Sequence, residues 1–153
     1  MADTSLNENR LALLIWQTSN LWQSKVRQKL KESEITLNEY LILETIYLLQ
    51  QQKINITQKD ICINASIDRS VVSLRVSSLE EKKLISKQQP QDKRSDSLIL
   101  SEAGNNLINN IIDNIVDLEN ELFNKLGSEI FNFTNSLKLL LGKKIRIRAK
   151  LND

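Results

Sequence analysis

The chain has 153 residues, enough for one domain with a hydrophobic core, and its 41% hydrophobic and 26% charged residues are typical of a soluble globular protein. The absence of histidine excludes Ser-His-Asp and Cys-His catalysis and removes the commonest metal ligand, so neither an enzyme nor a metal site is predicted. The net charge of +2 does not identify a partner, because the placement of charge matters more than its sum.

Several patterns are missing from the chain. It has no glycine-rich phosphate-binding motif, so no nucleotide cofactor is predicted. The chain contains no run of about 18 apolar residues, which is the length needed to span a membrane. The N-terminus lacks the pattern of a signal peptide. The single cysteine, Cys62, cannot form an internal disulfide and is predicted to be a buried apolar filler. Together these features indicate a cytoplasmic protein.

The first predicted helix runs from Leu6 to Glu32. Its apolar residues recur at spacings of three and four and so form one stripe along the helix. The stripe consists of Leu11, Leu14, Ile15, Thr18, Leu21, Trp22, Val26 and Leu30. The basic residues in its second half are interpreted as a solvated face near a helix C-terminus.

The second predicted helix runs from Thr36 to Gln52. Thr36 and Glu39 have the spacing of a capping box. Apolar residues lie nearly all round this helix, which is typical of a helix that is buried on several sides. The residues from Ile54 to Ile56 could form a very short strand.

The third predicted helix, from Thr57 to Asn64, again has capping-box spacing, here between Thr57 and Asp60. A polar turn around Ser66 follows it. The fourth helix is predicted from Arg69 to Lys83, with Asp68 as its cap.

The fourth helix has one narrow apolar seam, made of Val72, Val76 and Leu79. Its opposite face carries Ser70, Ser73, Leu74 and Ser77. Short serine side chains let a helix approach a DNA groove closely, and they can bond to base edges or phosphates. The alternative interpretation is an ordinary amphipathic surface helix.

Two short strands are predicted next, from Leu84 to Gln88 and from Ser97 to Leu100, around a polar loop. Lys93 and Arg94 near the loop tip could enter a minor groove or hold phosphates. Asp92 could pair with the Arg94 guanidinium and fix its direction. A solvated surface loop is the alternative interpretation.

Two long helices complete the chain. Ser101 is predicted to cap the first of them. This helix carries two neighbouring apolar stripes, which indicate that it packs against two partners: the chain's own core and something else. Gly127 is predicted at its end, and Ser128 as the cap of a final helix from Ser128 to Leu151. The predicted fold is mainly α with one hairpin, in the order α-α-α-α-β-β-α-α.

The middle of the chain resembles the MarR family of bacterial regulators. In that family the sequence of the recognition helix is roughly S-x-S-T-V-S-R-L-V-x-x-L-E-x-K-G-L-I. This chain has IDRSVVSLRVSSLEEKKLI from Ile67 to Ile85. The family's wing is typically D-x-R, a strand and L-T-x-x-G. Here Asp92-Lys93-Arg94 leads to LILSEAG, which ends at Gly104.

The resemblance implies a single MarR-like domain over residues 1–153, a winged helix-turn-helix at 36–104, and dimerisation helices at 5–33 and 105–151. It implies a homodimeric, sequence-specific regulator of transcription, expected to be a repressor, that binds double-stranded DNA at a pseudo-palindromic operator. The DNA-binding residues that it implies are Arg69, Ser70, Val71, Ser73, Leu74, Arg75, Ser77, Lys87, Asp92, Lys93 and Arg94.

Many members of this family bind small aromatic or lipophilic effectors. The residues that could line such a pocket are Trp16, Trp22, Tyr40 and Tyr47, each of which could equally be plain core. The alternative function is a winged-helix module for protein–protein contact that does not bind DNA.

The chain departs from the family pattern at two places in the fourth helix. Leu74 and Arg75 stand in the reverse of the family's order, so a leucine could meet a thymine methyl where an arginine would bind guanine. Lys83 replaces the usual glycine at the helix end, which predicts either a different cap or a lysine in the left-handed conformation.

Overall fold

The structure is a computed structural model that describes residues 8–88 and 97–147. The helices are α1 Leu11–Leu30, α2 Leu37–Leu49, α3 Gln58–Ala65, α4 Arg69–Glu81, α5 Glu102–Phe123 and α6 Ile130–Leu140. The strands β1 Ile85–Gln88 and β2 Ser97–Leu100 pair antiparallel, with Ile85 opposite Leu100. Short 3-10 turns occupy Lys31–Ser33 and Asn124–Glu129. The predicted order of helices and hairpin is confirmed.

Three of the predicted helix caps are present. Thr36 Oγ1 accepts from the Glu39 N–H at 3.2 Å while Glu39 Oε1 accepts from the Thr36 N–H at 3.0 Å. Thr57 and Asp60 exchange the same pair of bonds at the start of α3. At the start of α5, Ser101 Oγ accepts from the Gly104 N–H at 3.0 Å. Each cap satisfies backbone donors that the first helical turn leaves unpaired.

Other predicted helix boundaries were wrong. Helix α1 does not begin at Leu6, since residues 8–10 are not helical and the first helical residue is Leu11. Asp68 is the N-cap residue of α4, as predicted, but its exposed side chain makes no cap bond. Ser128 does not cap the last helix, since it lies inside the 3-10 turn in which Gly127 takes φ 53° and ψ −126°.

The last helix is also shorter than predicted and ends at Leu140. Gly142 has φ +67°, and the N–H groups of Gly142 and Lys143 donate to the carbonyls of Leu139 and Lys138 at 3.1 and 2.8 Å. These two bonds form a Schellman motif, which closes a helix with a left-handed residue. The residues after Gly142 alternate between charged and apolar types, so the sequence leaves their local structure ambiguous. Residues 148–151 of the prediction lie outside the described residues.

Helix α2 forms the centre of the first of two compact units, which divide between Val116 and Asp117. As predicted, α2 is buried on several sides, and it contacts α1, α3, α4 and β2. The fully buried residues of this unit include Val26, Leu30, Tyr40, Ile42, Leu43, Ile46, Ile61, Val72, Val76, Leu79, Leu98, Ile108 and Ile115. Cys62 is half-buried, not buried as predicted, because its neighbour Ile61 takes the inward position.

The residues from Ile54 to Ile56 do not form the short strand that was considered. Instead Ile56 alone is bonded to β2: its carbonyl accepts from the Leu98 N–H at 2.8 Å, and its N–H donates to Ser97 Oγ at 3.3 Å. Ser97 is 4% exposed, so its hydroxyl satisfies a buried backbone donor. This contact attaches the beginning of α3 to the hairpin.

The turn from α4 to β1 packs tightly on the beginning of α5. The Leu84 carbonyl accepts from the Ser101 N–H at 3.0 Å, and a Cβ on Gly104 would collide with that same carbonyl oxygen. Glycine is therefore required at position 104 so that the first turn of α5 can approach the backbone of the turn. No helix within the described residues is long and apolar enough to cross a bilayer.

Helix α4 ends in a second Schellman motif, in which the left-handed residue is not glycine. The N–H groups of Leu84 and Lys83 donate to the carbonyls of Leu79 and Glu80 at 3.0 and 2.9 Å. Lys83 has φ +60°, which confirms the left-handed lysine that was one of the two predicted solutions. A residue with a Cβ is strained in this region by roughly 1–2 kcal/mol.

We expect Lys83→Gly to raise the free energy of unfolding by about 0.5–1 kcal/mol, because the relief of strain exceeds the extra chain entropy of glycine. Urea unfolding followed by circular dichroism measures the change. Glu81→Gly, in the right-handed last turn of the same helix, is the control and should lower stability by about 1 kcal/mol. A Lys83→Gly protein no more stable than wild type would show that the αL position carries no strain.

Candidate nucleic-acid interface

The candidate interface is the exposed face of α4. Val72, Val76 and Leu79 are each 0% exposed, so the predicted apolar seam is confirmed as the inner face of this helix. At 100° per residue, the positions opposite this seam are Ser70, Leu74, Ser77 and Glu81. All four are exposed. The helix therefore presents a polar face with small hydroxyls that no other element covers in the described part of the chain.

A tight turn sets the angle between α3 and α4. Helix α3 ends at Ala65, and Ser66 caps it with φ 52° and ψ 45°, the left-handed conformation. Ile67 is half-buried, and α4 begins at Arg69. A three-residue turn between two packed helices is the geometry of a helix-turn-helix, whose second helix can project from the molecule.

The side chains on the outer face of α4 differ in what they can offer. Ser77 Oγ donates to the Ser73 carbonyl at 3.2 Å, so this hydroxyl is turned back onto its own helix. Ser70 and Ser73 are exposed. Leu74 is 63% exposed, which makes it an apolar contact in the middle of a polar face. Val71 is half-buried at the edge of the face.

The cationic side chains occupy different positions. Arg69 is exposed in the first turn of α4. Arg75 is half-buried, and within the described residues its Nε is buried without a hydrogen-bond partner. Lys87 on β1 is paired with Glu80 at 3.2 Å, with both side chains about a third exposed. Because such surface pairs are worth about 0–1 kcal/mol, Lys87 can exchange Glu80 for a phosphate.

One contact joins the predicted residue of β1 to α4. Lys87 reaches back to the last turn of α4 through Glu80, so β1 and the helix are linked. The remaining predicted members, Asp92, Lys93 and Arg94, lie outside the described residues.

The four aromatic residues considered for an effector pocket have different surroundings. Tyr40 is 1% exposed and belongs to the core of α2, whereas Trp16 on α1 is 63% exposed. Trp22 and Tyr47 are half-buried. Of the four, Tyr40 is thus placed as core, which was the other interpretation of this set.

A buried carboxylate lies behind the interface, and the sequence did not reveal its role. Glu39 is 1% exposed, and beyond its cap bond it accepts from Ser78 Oγ at 3.1 Å. Lys82 Nζ also lies 3.1 Å from this carboxylate. Ser78 and Lys82 belong to the last turn of α4 and its C-cap. Glu39 was predicted only as half of a capping box, since nothing in its local pattern marks partners about 40 residues away.

Lys82 has a second partner. Its Nζ donates to the Glu34 carbonyl at 2.7 Å, in the connection between α1 and α2. Glu34 itself has φ 55°, the left-handed conformation. The ammonium group therefore joins the end of α4 both to this connection and to the beginning of α2.

Two carboxylates in this unit are stabilised in the ionised form. Burial by itself raises the pKa of Glu39, but the Thr36 N–H and the Lys82 ammonium together outweigh it and hold the pKa below the ordinary 4.5. Burial likewise raises the pKa of Asp60, and the Thr57 N–H with the Lys53 ammonium, 2.9 Å away, lowers it below 3.8. Groups with a lowered folded-state pKa stabilise the fold above the unfolded-state pKa, and this stabilisation is lost as the pH falls through the folded-state value.

We expect Glu39→Gln to cost about 1–3 kcal/mol of unfolding free energy at pH 7, because a buried, charge-assisted hydrogen-bond network loses its charge. The difference from wild type should shrink on acidification, since wild-type Glu39 then becomes neutral as well. Urea midpoints across a pH series measure both effects. The exposed Glu81→Gln variant is the matched control and should follow the wild-type curve. A difference that stays constant down to low pH would contradict the ionised state of Glu39.

Comparisons with known proteins agree with this geometry. The model of the MarR family matches residues 35–95. The uncharacterised HTH-type transcriptional regulator YdcH of Bacillus subtilis (strain 168) is 30% identical over 129 residues, which cover 84% of this chain and 87% of YdcH. An HTH protein is one with a helix-turn-helix, the element formed here by α3 and α4.

Solved structures show the same fold. Staphylococcus aureus MepR in its complex with DNA is 26% identical, with a TM-score of 0.79 over 89% of this chain and 97% of MepR. CouR from Rhodococcus jostii RHA1, bound to p-coumaroyl-CoA, has a TM-score of 0.78 at 16% identity over 94% of this chain and 100% of CouR. The mainly helical fold with its hairpin is thus the winged helix of these regulators. The chain belongs to the MarR family and is a transcription regulator, not an enzyme.

Proposed function

We propose that the protein is a sequence-specific DNA-binding repressor that acts as a homodimer on a pseudo-palindromic operator. The observation that carries this proposal is the outward face of α4, which lies opposite a fully buried seam and is covered by no other described element. MepR, which is 26% identical, was solved bound to DNA. These observations favour DNA binding over a winged-helix module for protein contact.

The residues of α4 divide into two proposed roles. Ser70, Val71, Ser73 and Leu74 read base edges in the major groove, where short hydroxyls can bond and the Leu74 side chain can contact a thymine methyl. Arg69, Arg75 and Lys87 bind phosphates and fix the position of the helix. Ser77, whose hydroxyl donates to the Ser73 carbonyl, can bind DNA only by giving up that bond. In the wing, Arg94 and Lys93 enter the minor groove and Asp92 orients Arg94. Residues 36–104 are thus the proposed DNA-reading part of one MarR-like domain.

Uncovered apolar surface supports the proposed homodimer. Helix α6 carries an apolar stripe in which Ile130, Phe133, Leu137, Leu140 and Leu141 are 37–75% exposed. On α1 the residues Leu11, Leu14, Ile15 and Leu21 are 43–57% exposed. Exposed apolar patches of this kind mark interaction sites, and a second copy of the chain is the partner that we propose for residues 5–33 and 105–151.

A small lipophilic or aromatic effector that releases the DNA completes the proposal. Trp16, Trp22 and Tyr47 remain candidates for its pocket, and Tyr40 could form the pocket wall from the core side. CouR, which has the same fold, was solved with p-coumaroyl-CoA. A repressor acts at the chromosome, so we place the protein in the cytoplasm.

DNA binding is tested first by electrophoretic mobility shift with duplexes selected by the wild-type protein from a randomised library. We expect Arg69→Ala to weaken binding about tenfold and to lower the salt dependence by the equivalent of one phosphate contact. Arg27→Ala removes the same charge from an exposed position on α1, outside the proposed DNA-reading residues 36–104, and should bind like wild type once sedimentation shows that it remains a dimer. Absence of binding to every duplex, or binding insensitive to salt, would refute the proposed function.

The homodimer is tested by sedimentation equilibrium. Wild type should sediment at twice the mass of one chain, and Leu140→Asp should shift it towards the monomer because a charge replaces a 75% exposed leucine on the α6 stripe. Ile54→Asp makes the same kind of change at a side chain that is 91% exposed but lies on the connection between α2 and α3. This control should remain dimeric. Equal behaviour of the two variants would argue against α6 as the interface.

A further inference from the structure

The buried carboxylate of Glu39 has a role that helix capping does not account for. Capping requires only that Glu39 accept from the Thr36 N–H, and that bond is present at 3.0 Å. The additional contacts reach α4, through Ser78 Oγ and Lys82 Nζ. The pairs Lys53–Asp60 and Lys87–Glu80 have both members partly exposed, whereas the Glu39 side chain in the Lys82 pair is 1% exposed. Burying a charge is costly unless its partners are well placed, which makes this contact geometrically demanding.

Apolar packing alone leaves one degree of freedom of α4 weakly fixed. The seam of α4 consists of only Val72, Val76 and Leu79, and apolar contacts are not directional. Such a narrow seam holds the helix against the core but restricts rotation about its own axis only loosely. A rotation of about 20° at a side-chain radius of about 6 Å moves a side-chain tip by roughly 2 Å. Hydrogen bonds to bases require donor and acceptor within about 2.7–3.2 Å, so a shift of that size breaks them.

The contacts of Glu39 act on the same row of side chains that faces outward. Ser70, Leu74, Ser78 and Lys82 follow one another at intervals of four residues, which places them on one ridge of the helix. The first half of this ridge, with Ser70 and Leu74, is exposed. The second half, with Ser78 and Lys82, is held by Glu39, and Lys82 is also held by the Glu34 carbonyl. Fixing the second half of the ridge therefore fixes the direction of the first half.

We propose that Glu39 is a positioning residue for DNA recognition, which acts through Ser78 and Lys82 to set the rotation of α4 about its axis. This inference rests on the proposed function of α4. Glu39 does not touch DNA in this proposal. It fixes the direction in which Ser70 and Leu74 meet the base edges, so its loss affects discrimination between sequences more than attraction to phosphates.

The expected change in the DNA affinity of Glu39→Gln is opposite in sign to the change that loss of a negative charge alone would cause. Removing a carboxylate from a DNA-binding protein strengthens the attraction to phosphates. Glu81→Gln removes such a charge from the exposed face of α4 and should bind both duplexes more tightly than wild type, because a carboxylate on the proposed DNA-binding face repels phosphates. Glu39→Gln removes the same charge but should bind less tightly, because α4 is no longer held at one rotation.

The experiment measures the Kd of the full-length wild-type, Glu39→Gln and Glu81→Gln proteins. Two duplexes are used: one selected by the wild-type protein from a randomised library, and one of unrelated sequence. We expect Glu39→Gln to bind the selected duplex about tenfold more weakly than wild type, which is the effect of one lost base contact. On the unrelated duplex its affinity should fall by less than about twofold. The salt dependence on the unrelated duplex should stay at the wild-type slope, since the number of phosphate contacts is unchanged. Circular dichroism at the assay temperature verifies that each variant is folded.

Lys82→Met provides a second route to the same result. It keeps the aliphatic stem but removes the ammonium that joins Glu39 to the Glu34 carbonyl. The ratio of its affinities for the selected and the unrelated duplex should fall as it does in Glu39→Gln. The double variant should lose no more affinity than the single variant with the larger loss. Additive losses would show that the two residues do not act through each other. This variant also carries the test if Glu39→Gln does not fold.

The possible failures can be told apart. If wild type binds no duplex, the proposed function fails and the positioning role falls with it. If wild type binds and Glu39→Gln binds like Glu81→Gln, DNA binding stands and the positioning role is overturned. Equal weakening of Glu39→Gln on both duplexes would also overturn it, since the loss would then not concern sequence recognition.

Discussion

The burial of α2 is the constraint on which the arrangement of the first compact unit depends. This helix is apolar nearly all round and contacts α1, α3, α4 and β2. Because its surface must be covered on several sides, α3 and α4 pack against it by their own apolar seams. A helix with a seam as narrow as that of α4 is then left with most of its circumference in water. The exposed face that we assign to DNA is thus a consequence of how little of α4 the core requires.

Polar groups refine an arrangement that apolar burial defines only coarsely. Ser97 bonds the Ile56 N–H and attaches the hairpin to the start of α3. Ser101 accepts from Gly104 and donates to the Lys83 carbonyl, which joins the turn after α4 to α5. Glu39 and Lys82 join the beginning of α2 to the end of α4. Each of these contacts links elements that are distant in sequence, and each supplies the direction that hydrophobic contacts lack.

Left-handed residues end several elements of this unit without glycine. Glu34, Ser66 and Lys83 all have positive φ, and the chain has only three glycines. Two of those glycines, Gly127 and Gly142, take positive φ around α6, and Gly104 permits the close approach of α5 to Leu84. The turns of this unit therefore tolerate local backbone strain, which burial of the neighbouring apolar residues offsets.

The sequence by itself determined the order of the elements, the capping boxes at Thr36 and Thr57, the buried seam of α4 and its exposed opposite face. These features are local: they follow from the periodicity of apolar residues and from side chains that bond their own helix ends. The family resemblance rested on the same local pattern, in the residues from about Thr57 to Gly104. The end of α5 was predicted at Gly127, but the helix already ends at Phe123 and a 3-10 turn follows. The prediction carried the last helix past Leu140, although the alternating charged and apolar residues after Gly142 left the local structure there ambiguous.

The tertiary structure alone decided what depends on residues far apart in the chain. Glu39 and Lys82 are 43 residues apart, and only the packing of α2 on α4 shows that they form a buried pair. The same holds for the Ser97 bond to Ile56, the collision that forbids a Cβ at Gly104, and the pairing of Lys87 with Glu80. A single sequence records the types of these residues but not their separation in space, and the energies of buried charges and close backbone contacts depend on that separation.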